Sequence, residues 1–178
     1  NAFFVGTVTS LVEYEGLDSL IKALRYLPDA HCLIVGDGTA KPYLEQLARD
    51  VGVSSRVTFA GKKPHKDIWR WYSVLDVFVI PRKDTEVCRA VTPIKALTAQ
   101  ALGIPVVASN LPALREITGN LAYYVEPDDP RSLALGIQDS INSNATDSGV
   151  EWAAAHTWPQ MGHNLSKVYF SLTAGEYR

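Results

Sequence analysis

Short apolar, β-rich runs alternate with amphipathic helical patterns along this chain, and that alternation restricts the fold more than any other feature. The runs cover residues 3–6, 31–36, 57–61, 76–81, 105–109 and 121–125. They are apolar on both faces, as strands covered on two sides must be. Between them Leu17, Leu20, Ile21, Leu24 and Leu27 recur at helical spacing, as do Leu44, Leu47, Ala48 and Val51. Later helices are expected at about 65–74, 93–102, 111–118 and 129–142, the last opened by Asp128-Asp129-Pro130. Two further helical stretches, 150–156 and 159–172, lead into no strand and are expected to pack on the outside. The fold class this predicts is α/β: a doubly wound, Rossmann-like sheet of six parallel strands in the order 3-2-1-4-5-6, forming one domain over residues 1–178.

Size and charge narrow the function. The 178 residues are 47% hydrophobic and 20% charged, with a net charge of −2, a profile that supports one buried core. Lys and Arg form no run long enough to track a phosphate backbone, so nucleic acid is not an expected partner. The longest apolar stretches are too short to span a bilayer and no signal segment opens the chain, which reads as cytoplasmic. Cys32 and Cys88 lack metal spacing and are expected as free thiols. The sequons at Asn144 and Asn164 have no secretory context and are read as chance. The chain enters a strand within two residues of Asn1, so a longer polypeptide is expected.

In a doubly wound sheet, ligands bind at the carboxyl ends of the strands where the order reverses, here between strands 1 and 4. The loops over residues 6–15 and 81–93 open onto that crevice and are the longest and least regular strand-to-helix connections. The second carries Arg82, Lys83 and Arg89 ahead of a helix whose first turn holds Lys95. A helix start attracts anions through its unpaired amides, and a lysine there opposes the helix dipole, so Lys95 points to an anionic ligand. Gly36-Asp37-Gly38 is read as a chain turn after the second strand.

The run from Val91 through Thr92-Pro93-Ile94-Lys95 to Ser109 resembles the donor-site segment of group 1 (family 4-like) glycosyltransferases of the GT-B fold. Tyr14-Glu15-Gly16-Leu17, Ile34-Val35-Gly36-Asp37-Gly38, Val57-Thr58-Phe59-Ala60-Gly61 and Ala113-Leu114-Arg115-Glu116-Ile117 resemble other segments of that family in the same order, over about residues 3–142. The resemblance implies the C-terminal domain that binds a nucleotide-diphosphate sugar, facing an N-terminal acceptor domain absent from this chain. It also implies transfer with retention, and peripheral membrane association only through that absent domain. The donor diphosphate is expected at Arg82, Lys95, Thr92, Ile94, Gly6 and Thr7, and the nucleoside at Lys63, Pro64, His65 and Thr98. His65 reads equally as a helix-capping or exposed residue. The isolated domain is expected to be inactive, because half of the cleft belongs to its partner.

Four positions depart from the family pattern. Its two glutamates, eight residues apart, correspond to Ala90 and Thr98, and its diphosphate-clamping arginine and lysine correspond to Thr7 and Glu15. Losing the glutamate at Thr98 is expected to weaken nucleotide binding about tenfold, since charged hydrogen bonds outweigh neutral ones by ~1 kcal/mol or more. Arg82 and Lys95 are the cations expected to compensate. No catalytic residue is assigned, and with no Asp-x-Asp pair in a suitable loop neither a metal nor a cofactor is expected. The alternative is a non-catalytic nucleotide-binding or scaffolding domain with a degenerate donor site. A dinucleotide-dependent oxidoreductase or epimerase would need a glycine-rich turn after the first strand, and Gly6-Thr7-Val8-Thr9 has a single glycine.

Overall fold

Alternate side chains of a strand point to opposite faces, and in the computed structural model, which describes residues 2–143 and 147–173, both faces of the sheet are covered. The strands are β1 (Phe3–Val8), β2 (Ala30–Val35), β3 (Val57–Gly61), β4 (Val77–Ile80), β5 (Val106–Ser109) and β6 (Tyr123–Val125). All neighbouring pairs are parallel, in the order β3-β2-β1-β4-β5-β6. The helices are α1 (Leu17–Ala23), α2 (Lys41–Asp50), α3 (Ile68–Tyr72), α4 (Glu86–Ala90), α5 (Lys95–Ala101), α6 (Pro112–Ile117), α7 (Pro130–Ile141), α8 (Asp147–Ala155) and α9 (Trp158–Thr173). The sheet is therefore the doubly wound one expected from the apolar runs, with β1 and β4 adjacent at its centre.

The period of two divides the core. Cys32 and Ile34 of β2 and Val77 and Val79 of β4 join the layer with α1, α2 and α7; Leu33, Val35, Phe78 and Ile80 join the layer with α3, α5 and α6. Burying each large aliphatic side chain contributes about 1.5–3 kcal/mol. The guanidinium of Arg56, just ahead of β3, donates to the carbonyls of Leu24, Leu27 and Ala30 at 2.7–2.9 Å, tying the end of the α1 segment to the start of β2. At α7 the Asp129 carboxylate accepts from the amides of Arg131 and Ser132 with Pro130 in the first turn, as the sequence led us to expect.

The structure departs from expectation in four places. Strand β1 does not end at Gly6: Thr7 and Val8 stay paired with Ile34 and Val35, because β2 runs alongside them to Val35. The 81–93 connection is not wholly irregular, since Thr85 caps the short helix α4 by accepting from the Cys88 amide. Helix α5 starts at Lys95 instead of 93, two residues past Pro93. Of the two terminal helices, α8 packs on the body, with Trp152 Nε1 donating to the Ile117 carbonyl, but α9 has no buried residue. A helix gains its place from an apolar face it can bury, and among the described residues α9 finds no such cover. Both cysteines are free and buried, and burial pushes the Cys32 thiol up to about 12. The sequon at Asn144 lies outside the described residues.

Candidate functional site

The β1–α1 loop and the segment after β4 are locked together where the strand order reverses. Lys83 N donates to the Tyr14 carbonyl at 3.0 Å. Gly16, at φ +67°, lies so close to Pro81 that a Cβ there would stand 1.9 Å from its carbonyl oxygen. Only glycine meets both demands. Glu15, held between these two ties, is 4% exposed and faces the end of β4.

There its carboxylate accepts from Arg82 Nη2 at 2.9 Å through one oxygen and from Lys95 Nζ at 2.5 Å through the other. Arg82, 6% exposed, donates from Nη1 to the Val91 carbonyl at 2.8 Å. Lys95 Nζ also donates to the Thr9 hydroxyl. Arg82 and Lys95, the two cations singled out in the sequence, thus come together across the β1/β4 crevice, joined by an acid from the opposite loop. Two cations and one anion leave the cluster with one net positive charge.

Burial alone would raise the Glu15 carboxyl, but the charges and hydrogen bonds of Lys95 and then Arg82 overcome it and hold Glu15 below its ordinary range. Burial pulls Lys95 below the ordinary lysine range, and Glu15 opposes that pull without cancelling it. The other basic residues of the 81–93 loop are matched elsewhere. Lys83 lies 3.8 Å from Asp18, and Arg89 makes a two-pronged pair with Asp84 at 2.5 and 2.7 Å.

Thr9 connects this cluster to a cleft of about 480 Å³ at the carboxyl ends of β1, β2 and β3, whose lining includes Thr9, Gly36, Asp37, Lys62, Lys63 and His65. Gly36 and Gly38 do more than turn the chain: a Cβ at either would stand 1.8 or 2.3 Å from the carbonyl oxygens of Thr9 or Leu11, so they let the β2 exit lie against the β1 exit. The Lys63 ammonium sits 4.4 Å above the Trp71 ring, a cation–π contact that steadies it at the cleft wall. A second hollow of about 390 Å³ opens by the starts of α1 and α2, lined by Glu13, Asp18, Tyr43 and Lys83 among others, where the lysine's charge is already matched by Asp18.

The remaining candidates fall into two groups. Lys63 and His65 line the cleft, while Pro64 between them is exposed and outside its lining. Gly6 and Thr7 lie inside β1, Thr7 at 1% exposure, so the crevice is reached through Thr9 and Ser10 instead. Thr92 and the 63%-exposed Ile94 precede α5, and Thr98 is exposed one turn beyond Lys95, apart from the cleft lining. Ala90, at the end of α4, is exposed as well. Thr9 and Asp37 were missed by sequence reasoning, and Glu15 was read only as a lost lysine. A charge inventory of the two loops opening on one crevice, acids at 13 and 15 against cations at 82, 83 and 89, is the signal that could have paired them.

A six-stranded parallel sheet of this order, with a cationic cluster at its switch point, defines a doubly wound, Rossmann-like α/β domain. Residues 1–143 match the model of the family described as glycosyl transferases group 1, and the chain belongs to that family, in its GT-B C-terminal-domain region. It is 31% identical over 165 residues to the D-inositol 3-phosphate glycosyltransferase of Mycolicibacterium gilvum, covering 87% of this chain and 36% of that protein. In fold it is similar to the HepE protein of Anabaena, solved in complex with UDP and glucose (TM-score 0.80, 23% identity, 93% of this chain and 48% of that one). It is also similar to the C-terminal domain of the group 1 glycosyl transferase LpcC from Francisella tularensis (TM-score 0.72, 22% identity, 86% of this chain and 85% of that one). The chain spans 34–39% of the length of the first curated relatives it matches. Among the described residues no helix is long and apolar enough to cross a membrane.

Proposed function

We propose that this chain is the donor-binding domain of a glycosyltransferase and takes a nucleotide-diphosphate sugar across the β1/β4 crevice. The observation that carries this reading is the double role of Thr9, which accepts from Lys95 and also lines the cleft. A nucleoside seated in the cleft against Lys63 and His65 would hand its diphosphate to Lys95, with Arg82 behind it. Ammonium and guanidinium groups bind phosphate oxygens strongly. They also favour the charge that builds on a departing diphosphate, commonly the largest catalytic contribution. The UDP bound to HepE, a protein of the same fold, supports the ligand class. Transfer with retention, to an acceptor held by a separate N-terminal domain and without a required metal, completes the proposal.

Calorimetric titration with UDP and GDP tests it. Binding of one of them at millimolar concentration or tighter, weakened about tenfold by Lys95→Gln, is the expected result. One feature favours a second reading, a non-catalytic domain of the same fold: the positions that resemble the family's two glutamates are Ala90 and Thr98, and neither carries a carboxylate. Absence of heat with either nucleotide at millimolar concentration would sink the donor reading in favour of that one.

A further inference from the structure

We infer that Glu15 is a positioning residue for the anion site: its carboxylate, fixed between Arg82 and Lys95, keeps both cations side by side and Lys95 at the edge of the crevice. The inference rests on the donor reading above and concerns a position where family resemblance led us to expect a lysine.

Three observations carry it. First, Glu15 has no freedom to leave: it is buried, its two oxygens each hold a different cation, and its neighbours Tyr14 and Gly16 are pinned to the segment 81–83. Second, the charged and titratable groups acting on Lys95 are Glu15 from the β1–α1 loop, Arg82 from the end of β4 and Cys88 from α4, and α5 itself adds none. Of these Glu15 is the strongest that favours the ammonium, while Arg82 repels it. Without the carboxylate, a buried ammonium would face a guanidinium across the space Glu15 now fills, and shedding its proton would relieve both burial and repulsion. Third, an ammonium has three donors, and Glu15 and Thr9 use two, leaving one for an added oxygen. A carboxylate here is therefore compatible with anion binding, because it keeps a positive charge at the crevice that would otherwise be lost.

The test is titration of the protein with inorganic pyrophosphate and with UDP, across about pH 6 to 9, for the wild type, Lys95→Gln, Glu15→Gln and Glu15→Asp. Wild type should bind, and Glu15→Gln should bind about tenfold more weakly at the alkaline end yet recover toward wild type at the acid end, where Lys95 regains its proton. Loss of a merely structural contact would weaken binding equally at every pH. Glu15→Asp, which keeps the charge on a shorter arm, should retain most of the affinity and its pH profile. It also serves if Glu15→Gln does not fold, because the Lys95 Cε carbon shift of the wild type and Glu15→Asp then reports whether the ammonium persists to the alkaline end. Glu15→Gln binding as well as or better than wild type throughout, or a wild-type Lys95 that loses its proton near the acid end, overturns the inference alone. Failure of the wild type to bind either probe overturns the donor reading and the inference together.

Discussion

Glu15 concentrates the cost and the benefit of the crevice in one side chain. Removing a single partner of a buried ion cluster strands the others, and such losses run to about 3–5 kcal/mol. Glu15→Ala is therefore expected to destabilise the protein by about that amount in urea unfolding, while Glu15→Gln, which keeps the shape, costs less. The pH dependence has a definite sign. The folded carboxyl lies below its ordinary value, so its contribution is fully present above the ordinary carboxylate range and is lost as pH falls through the depressed folded value. The stability gap between wild type and Glu15→Gln should narrow as the solution is acidified below about pH 4. A gap that holds steady or widens there would show that the carboxylate is not stabilised by its two cations.

At the level of elements, the site exists because two loops meet, and Gly16 is the hinge pin of that meeting. With φ at +67° and the Pro81 carbonyl in the way of any Cβ, Gly16→Ala must push the β1–α1 loop off the end of β4. The expected cost is about 1–3 kcal/mol from backbone strain alone, with looser binding of pyrophosphate because Glu15 moves with the loop. Gly52→Ala is the control for positive φ without a close approach: at φ +75° it has nothing within 4 Å, so when both variants are compared by urea unfolding it should cost less than Gly16→Ala.

The elements themselves were legible in the sequence. Apolar runs on two faces and stripes at helical spacing depend on local pattern, and they led to the right strand order, the cap at Asp129 and the convergence of the 6–15 and 81–93 loops. What was not legible depended on partners. Thr7 and Val8 remain strand because β2 extends beside them, and α4 forms around a Thr85 cap inside a polar stretch. Glu15 finds Arg82 from 67 positions away in the chain, and no spacing rule reaches that far. The same reason made Thr7 look like a loop residue when it is sheet.

Across the whole molecule, one end of the chain behaves differently from the rest. Helix α8 is part of the body: Trp152 seats against Gly119, where a Cβ would stand 2.4 Å from its ring, and Gly149 lies against Gln100. Helix α9 adds nothing comparable. Trp158 is 76% exposed and Phe170 74%, and Leu165 and Tyr169 between them are more than half exposed. Apolar area left in water contributes nothing to folding, so truncation after His156 should leave the melting temperature within about 2 °C of the parent, less than the shift that ~1 kcal/mol produces in a domain of this size. It should also reduce self-association, because an exposed row of large apolar side chains promotes it. Differential scanning calorimetry with light scattering on the two lengths measures both. A drop of more than about 4 °C would mean that α9 buries its apolar residues against the body in solution.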